Sequence, residues 1–77
     1  MATAFVLIKT DLGKEEQLME EIKKTENVVS VYMVYGKYDL IAKIDAKSFE
    51  KVKETITWKI RRLNNVKSTI TMFATEI

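Results

Sequence analysis

One stretch, Val28 to Ile44, constrains this chain more than any other. It reads Val-Val-Ser-Val-Tyr-Met-Val-Tyr, then Gly36-Lys37, then Tyr-Asp-Leu-Ile-Ala-Lys-Ile. β-Branched and aromatic residues fill both runs, and such residues suit a pleated, half-buried surface. A two-residue Gly-X connection between the runs predicts a hairpin with a II′-type turn, in which Gly36 takes the positive φ. This hairpin is expected to form the centre of a sheet. Alternation puts Val29, Val31, Met33 and Tyr35 on one face, and Val28, Ser30, Tyr32 and Val34 on the other.

The flanking segments alternate between strand and helix patterns. Thr3–Lys9 is a strand candidate with both faces apolar, so both should be buried. Lys14–Lys24 is a helix candidate in which Leu18, Met19 and Ile22 form the apolar stripe. Asp11 is its candidate cap. Asp45, or alternatively Ser48, caps a longer helix over about Ala46–Leu63, with Phe49, Val52, Ile56, Ile60 and Leu63 recurring at helical spacing. Asn64-Asn65 ends it, since Asn tolerates the left-handed conformation. Val66–Ala74 is the last strand, with Val66, Ser68, Ile70 and Met72 facing one way and Lys67, Thr69, Thr71 and Phe73 the other.

The two halves echo each other. Lys9, Asp11, Glu16, Glu20 and Ile22 recur 34 places later as Lys43, Asp45, Glu50, Glu54 and Ile56. Asn27, Val28 and Ser30 recur as Asn65, Val66 and Ser68. The resulting order predicts an α+β fold of the ferredoxin-like βαββαβ type, as one domain over residues 1–77. Right-handed crossovers put both helices on one face of a four-stranded antiparallel sheet. The reverse face is then expected to carry Phe5, Leu7, Val29, Val31, Ile41 and Phe73. A bare apolar face of this kind is an association surface. The expectation is a homodimer with sheets packed face to face, a dimeric α/β sandwich with an isologous contact.

Composition supports association and removes several chemistries. With 77 residues the chain buries only about 60% of its unfolded surface. It has no Cys and no His, which excludes disulfides, thiolate or imidazole metal sites, and Cys or His catalysis. No acid/base pair and no Gly-rich phosphate loop can be identified, so the chain is read as a non-enzyme without cofactor. Net charge is +2, from 13 basic and 11 acidic residues, too balanced for a nucleic-acid surface. No run approaches the roughly 20 apolar residues of a membrane span, and no signal peptide is evident, so a cytoplasmic location is expected. Abundant Lys, Glu and Ile without Pro lean towards a thermophilic source.

The turn Tyr35-Gly36-Lys37-Tyr38-Asp39 is the one place where aromatic rings, bare backbone and an acid converge. Gly36 serves the turn; its missing Cβ also leaves backbone N–H groups open to a ligand carboxylate. Asp39 is either a strand-end acid that blocks edge pairing or a carboxylate for a ligand ammonium. Tyr35 and Tyr38 would wall such a site or simply pack across the hairpin. Thr69 and Thr71 offer hydroxyls along the last strand. Trp58 lies on the helix side opposite the buried stripe, flanked by Lys59, Arg61 and Arg62, and is either a dimer–dimer anchor or a rim packer.

The phrase Val34-Tyr35-Gly36-Lys37-Tyr38-Asp39-Leu40-Ile41-Ala42-Lys43-Ile44, followed by Asp45 and a helix, resembles the G-x-Y-D-hydrophobic hairpin of the C-terminal effector domain (RAM domain) of the Lrp/AsnC family. Asn65-Val66 with Thr69 and Thr71 resembles that domain's last strand. The resemblance implies sheet-to-sheet dimers assembling into rings, often of four dimers, with amino acids or related molecules bound between dimers near the hairpin turn. Gly36 and Asp39 are the effector contacts it implies first, with Tyr35, Tyr38 and Thr71 beside them; Lys37 and Thr69 complete the candidate ligand-binding set. Family transcription factors carry an N-terminal helix-turn-helix. This sequence starts at the first strand, so a stand-alone version is expected that does not bind DNA itself. It would act by sensing an amino acid, or by joining oligomers of full-length relatives.

Overall fold

Each helix carries one narrow apolar stripe, so neither can stand without a sheet beneath it. Leu18 and Ile22 on the first helix, and Val52, Ile56 and Ile60 on the second, are buried. The computed structural model describes residues 1–75. It runs β1 (Ala2–Thr10), α1 (Glu15–Lys23), β2 (Val28–Met33), β3 (Leu40–Ala46), α2 (Phe49–Glu54) and β4 (Val66–Ala74). The sheet order is β2-β3-β1-β4 with every neighbouring pair antiparallel, the ferredoxin-like arrangement. The helices pack on one face only. Ala4, Val6 and Ile8 of β1 and Leu40, Ala42 and Ile44 of β3 lie buried beneath them. The hairpin is therefore not the middle of the sheet. β1, apolar on both faces, takes a central place beside β3, and β2 is an edge.

The internal repeat is visible in the backbone. Asn27 and Asn65 both adopt left-handed φ, 74° and 75°. The Asp45 N–H donates to the Asn27 carbonyl (3.0 Å), and the Asp11 N–H to the Asn65 carbonyl (2.9 Å). Each Asn leads into a strand that slips register after its first residue. Val28 pairs with Ile44 but Ser30 with Lys43, and Val66 pairs with Thr10 but Ser68 with Lys9. Val29 and Lys67 are the extra residues of two β-bulges, one on each edge strand.

The first bulge corrects the assignment of Val31. A single inserted residue reverses the alternation that follows it. Val31, expected on the uncovered face, is in the core opposite Ala42 and only 6% exposed. Ser30 and Tyr32 take the uncovered face instead. Val29, at the bulge itself, is 57% exposed. Phe73 was also expected on the uncovered face. Its register partner is Ala4, which puts it on the helix side, where its ring meets Phe49 at 4.3 Å between centroids. Phe49 is consequently an exposed stacking partner rather than part of the buried stripe.

The uncovered face carries a continuous apolar row across all four strands, Tyr32–Ile41–Leu7–Ile70. Beside it runs a second row, Ser30–Lys43–Phe5–Met72. Tyr32, Ile70 and Met72 belong to this face and were not among the residues expected there.

Two helix boundaries also differ from expectation. Asp45 and Ala46 are still paired in β3, so Ser48 caps α2, its Oγ accepting from the Lys51 N–H at 3.2 Å. After Glu54 the helix widens into a π-helical segment, Thr55–Ile60, that ends with the Arg61 N–H donating to the Ile56 carbonyl (2.9 Å). The Thr55 hydroxyl donates back to the Lys51 carbonyl at 3.0 Å, at the junction. Back-bonding of this kind competes with the regular ladder and bends helices.

The Asn corners are testable. Asn27→Ala is expected to cost about 1–2 kcal/mol for the left-handed backbone, plus about 1 kcal/mol for the lost Nδ2 donation to Thr55 Oγ1. Asn65→Ala should cost only the backbone part. Urea unfolding of the two variants, with Asn65→Ala the milder, is the check.

Candidate functional site

The turn joining β2 to β3 is longer than two residues. Strand pairing stops at Met33–Leu40, and residues 34–39 form a six-residue connection. The Val34 N–H donates to the Asp39 carbonyl at 2.9 Å and closes its base. The reason for the early opening lies on β1. The Asp39 N–H donates to the Ile8 carbonyl (3.0 Å), and the Thr10 N–H donates to Asp39 Oδ2 (2.9 Å). The Lys9 ammonium donates to the Lys37 carbonyl at 3.3 Å. The turn is thus moored to the end of β1 as well as to β2.

Asp39 is the electrostatic centre of this corner. The Thr10 N–H holds its carboxyl below the usual 3.8; partial desolvation opposes this, and the Thr10 hydroxyl and the Lys9 charge reinforce it. The buried Thr10 hydroxyl lies 3.3 Å from Asp39 Oδ2 and 3.5 Å from Glu15 Oε1. It has one proton, so it serves one carboxylate at a time. Both Thr10 contacts fall on Oδ2.

Around this anchor the turn is open. Gly36 adopts φ 141°, a backbone that side-chain-bearing residues rarely adopt. An added Cβ would meet no atom within 4 Å, so conformation rather than crowding calls for glycine here. Tyr35 is 95% exposed, Lys37 is exposed and Tyr38 is half-buried. The arrangement can offer backbone donors, an aromatic ring and a carboxylate, but it is one wall of a site rather than an enclosed pocket.

The other predicted residues do not all gather there. Thr69 and Thr71 lie on β4, opposite Ile8 and Val6, on the helix side of the sheet. β1 separates them from Asp39, a distance of about two strand spacings, roughly 10 Å. Trp58 projects from the π-helical segment, 61% exposed, with the Arg62 guanidinium 5.2 Å from its ring centroid.

Sequence reasoning missed Thr10. The register that brings it against Asp39 is not written in either local pattern. It also missed a cleft of about 390 Å³ at the opposite end of the sheet, lined by residues including Asn27, Lys47, Ser48, Lys51, Thr55 and Lys59. Much of that cleft's polarity is spent internally. The Asn27 amide donates to Thr55, Ser48 caps α2, and Lys59 pairs with Glu26 at 3.1 Å.

The mooring makes a pH prediction. Asp39's folded pKa lies below its unfolded value, so its contribution to stability is complete above about pH 4. It is lost as pH falls through the folded value. Asp39→Asn should therefore lower the urea midpoint at neutral pH, with the gap to wild type narrowing as pH falls below about 4. A gap that stays constant with pH would contradict the assignment.

A sequence model of the Lrp/AsnC ligand binding domain matches residues 3–77. An HTH-type transcriptional regulator of Pyrococcus abyssi is 34% identical over 73 residues, covering 91% of this chain and 49% of the relative. The chain spans about half the length of the curated relatives it matches. Among solved structures, FFRP-DM1 is 40% identical with TM-score 0.93, covering 97% of this chain and 100% of that one. A protein from Thermus thermophilus is 36% identical with TM-score 0.93, covering 100% of this chain and 96% of that one. With the ferredoxin-like sheet and the Gly36–Asp39 hairpin in place, the match over nearly every residue decides the matter: the chain belongs to the Lrp/AsnC family, whose ligand-binding domain it corresponds to.

Proposed function

We propose that this chain is a sensing and assembly module that binds an amino acid at the hairpin corner and oligomerises through its uncovered sheet face. The observation that carries the reading is the corner itself. Gly36 leaves backbone donors clear of side chain, Tyr35 stands free, and Asp39 keeps Oδ1 clear of the Thr10 contacts. A free amino acid presents a carboxylate and an ammonium, the charges these two ends of the turn accept. A fold neighbour, a transcriptional regulator from Neisseria meningitidis that is 14% identical with TM-score 0.85, was solved in complex with L-Met. The wall is open in one chain, so the site is completed by a neighbouring copy. Trp58 is the exposed aromatic available for contacts between dimers, with Lys37 and Tyr38 flanking the ligand and Thr69 and Thr71 further from it. The assembled module acts on transcription through relatives that carry a DNA-binding domain.

One observation favours a second reading, a ligand-free oligomerisation subunit. Thr10 and the β1 backbone already account for the position of Asp39. Calorimetry with the standard amino acids separates the two. Binding by wild type, weakened about tenfold or more by Tyr35→Ala with unchanged thermal stability, is the expected result; about tenfold corresponds to 1.4 kcal/mol. Silence from every amino acid ends the sensing reading and leaves the subunit reading.

A further inference from the structure

The strand positions of the uncovered face carry three charges: Lys9 towards one end, Lys43 in the second row and Asp45 towards the other end. Lys43 stands between Phe5 and Ser30 in the second row, one row from Tyr32–Ile41–Leu7–Ile70. Among the described residues it makes no ion pair. Asp45 follows on the same face of β3, half-buried, with Oδ1 accepting from the Thr3 hydroxyl. On the strand positions that face this way, Asp45 is the one acid among the described residues.

Any sheet that covers the apolar row must also cover Lys43. A buried ammonium left without a partner is strongly unfavourable. The occupant must therefore be both apolar and supplied with a carboxylate within reach of Lys43. A second copy of this face fits both requirements. In an isologous contact, whatever Lys43 meets on the second copy is met in turn by the second copy's own Lys43. We infer that Lys43 of each copy pairs with Asp45 of the other, so the face recognises itself through two equivalent ion pairs set in an apolar surround. The two residues are one strand repeat apart, about 6.6–6.8 Å, which suits the flexible four-carbon stem of lysine. The inference rests on the face-to-face association proposed above and adds what gives that association its register and its choice of partner.

Charge exchange tests it by sedimentation of the intact chain. Lys43→Asp puts acids at both paired positions of β3, and Asp45→Lys puts bases at both. Each variant alone should self-associate about 30-fold more weakly than wild type or worse. An equal mixture of the two should associate again, as a heterodimer. Lys43→Met is the second arm, because it keeps the apolar volume and needs no change at the Thr3 contact. With the ion pair present, Lys43→Met strands the partner's Asp45 and weakens association. With Lys43 merely tolerated, it tightens association or leaves it unchanged, and that result overturns the inference. Failure of the mixture to recover, with both variants folded by circular dichroism, overturns it as well. Leu7→Asp separates this from the underlying reading. If Leu7→Asp leaves association intact, the face is not the contact, and both fall. If Leu7→Asp abolishes it while the charge variants associate normally, only the ion pairs fall.

Discussion

Two helices can cover one side of four strands and no more. The rest of this structure follows from that inequality. On the covered side the central strands carry Ala4, Val6, Ala42, Ile44 and Ala46, small or branched side chains that let the helices sit close. On the other side the same strands carry Phe5, Leu7 and Ile41, and the edge strands add Tyr32, Ile70 and Met72. A chain of 77 residues without disulfides has little stability in reserve, so leaving that side in water works against folding as well as solubility. In the proposed assembly, self-association is in this sense part of how the domain is stabilised.

The hairpin corner shows a second economy. Asp39 is held by the Thr10 N–H, and its own N–H reaches the Ile8 carbonyl, so the turn is joined to the central strand. That mooring gives residues 35–38 a fixed base while leaving Tyr35, Gly36 and Lys37 exposed. The opposite cleft encloses about 390 Å³, yet much of its polar lining is committed to itself. For the proposed amino-acid site the corner offers the better chemistry, with a neighbouring copy as its second wall.

Much of the architecture can be read from local pattern. The order of elements, the buried stripes Leu18–Ile22 and Val52–Ile56–Ile60, and the duplicated Asn-Val-x-Ser corner all follow from periodicity and repetition. The failures share one cause, which is information carried by pairing rather than by sequence-local pattern. Val31 lies on the wrong face in a strict alternation because Val29 is a bulge. Phe73 is assigned by its register with Ala4, since both faces of β4 read as mixed. Six residues rather than two connect β2 to β3 because β1 captures Asp39. Phe49 has helical spacing but sits at the rim, where the edge strand leaves it partly uncovered. For the candidate site, Gly36 and Asp39 share one turn by sequence alone, whereas Thr10 joins them only through the β1–β3 register. Thr69 and Thr71, on the far edge strand, do not join them.

The paired bulges bear on what kind of polymer this chain avoids. β2 and β4 are the strands with unsatisfied outer rims, and each is distorted at its first residues by an inserted Val29 or Lys67. Distortion of a rim hinders a foreign strand from docking in register along it. Growth by endless lateral addition of sheets is discouraged, and stickiness is confined to a flat patch that a two-fold mate can saturate. In the proposed face-to-face association, the two bulged rims thereby favour finite, countable assemblies over fibrils.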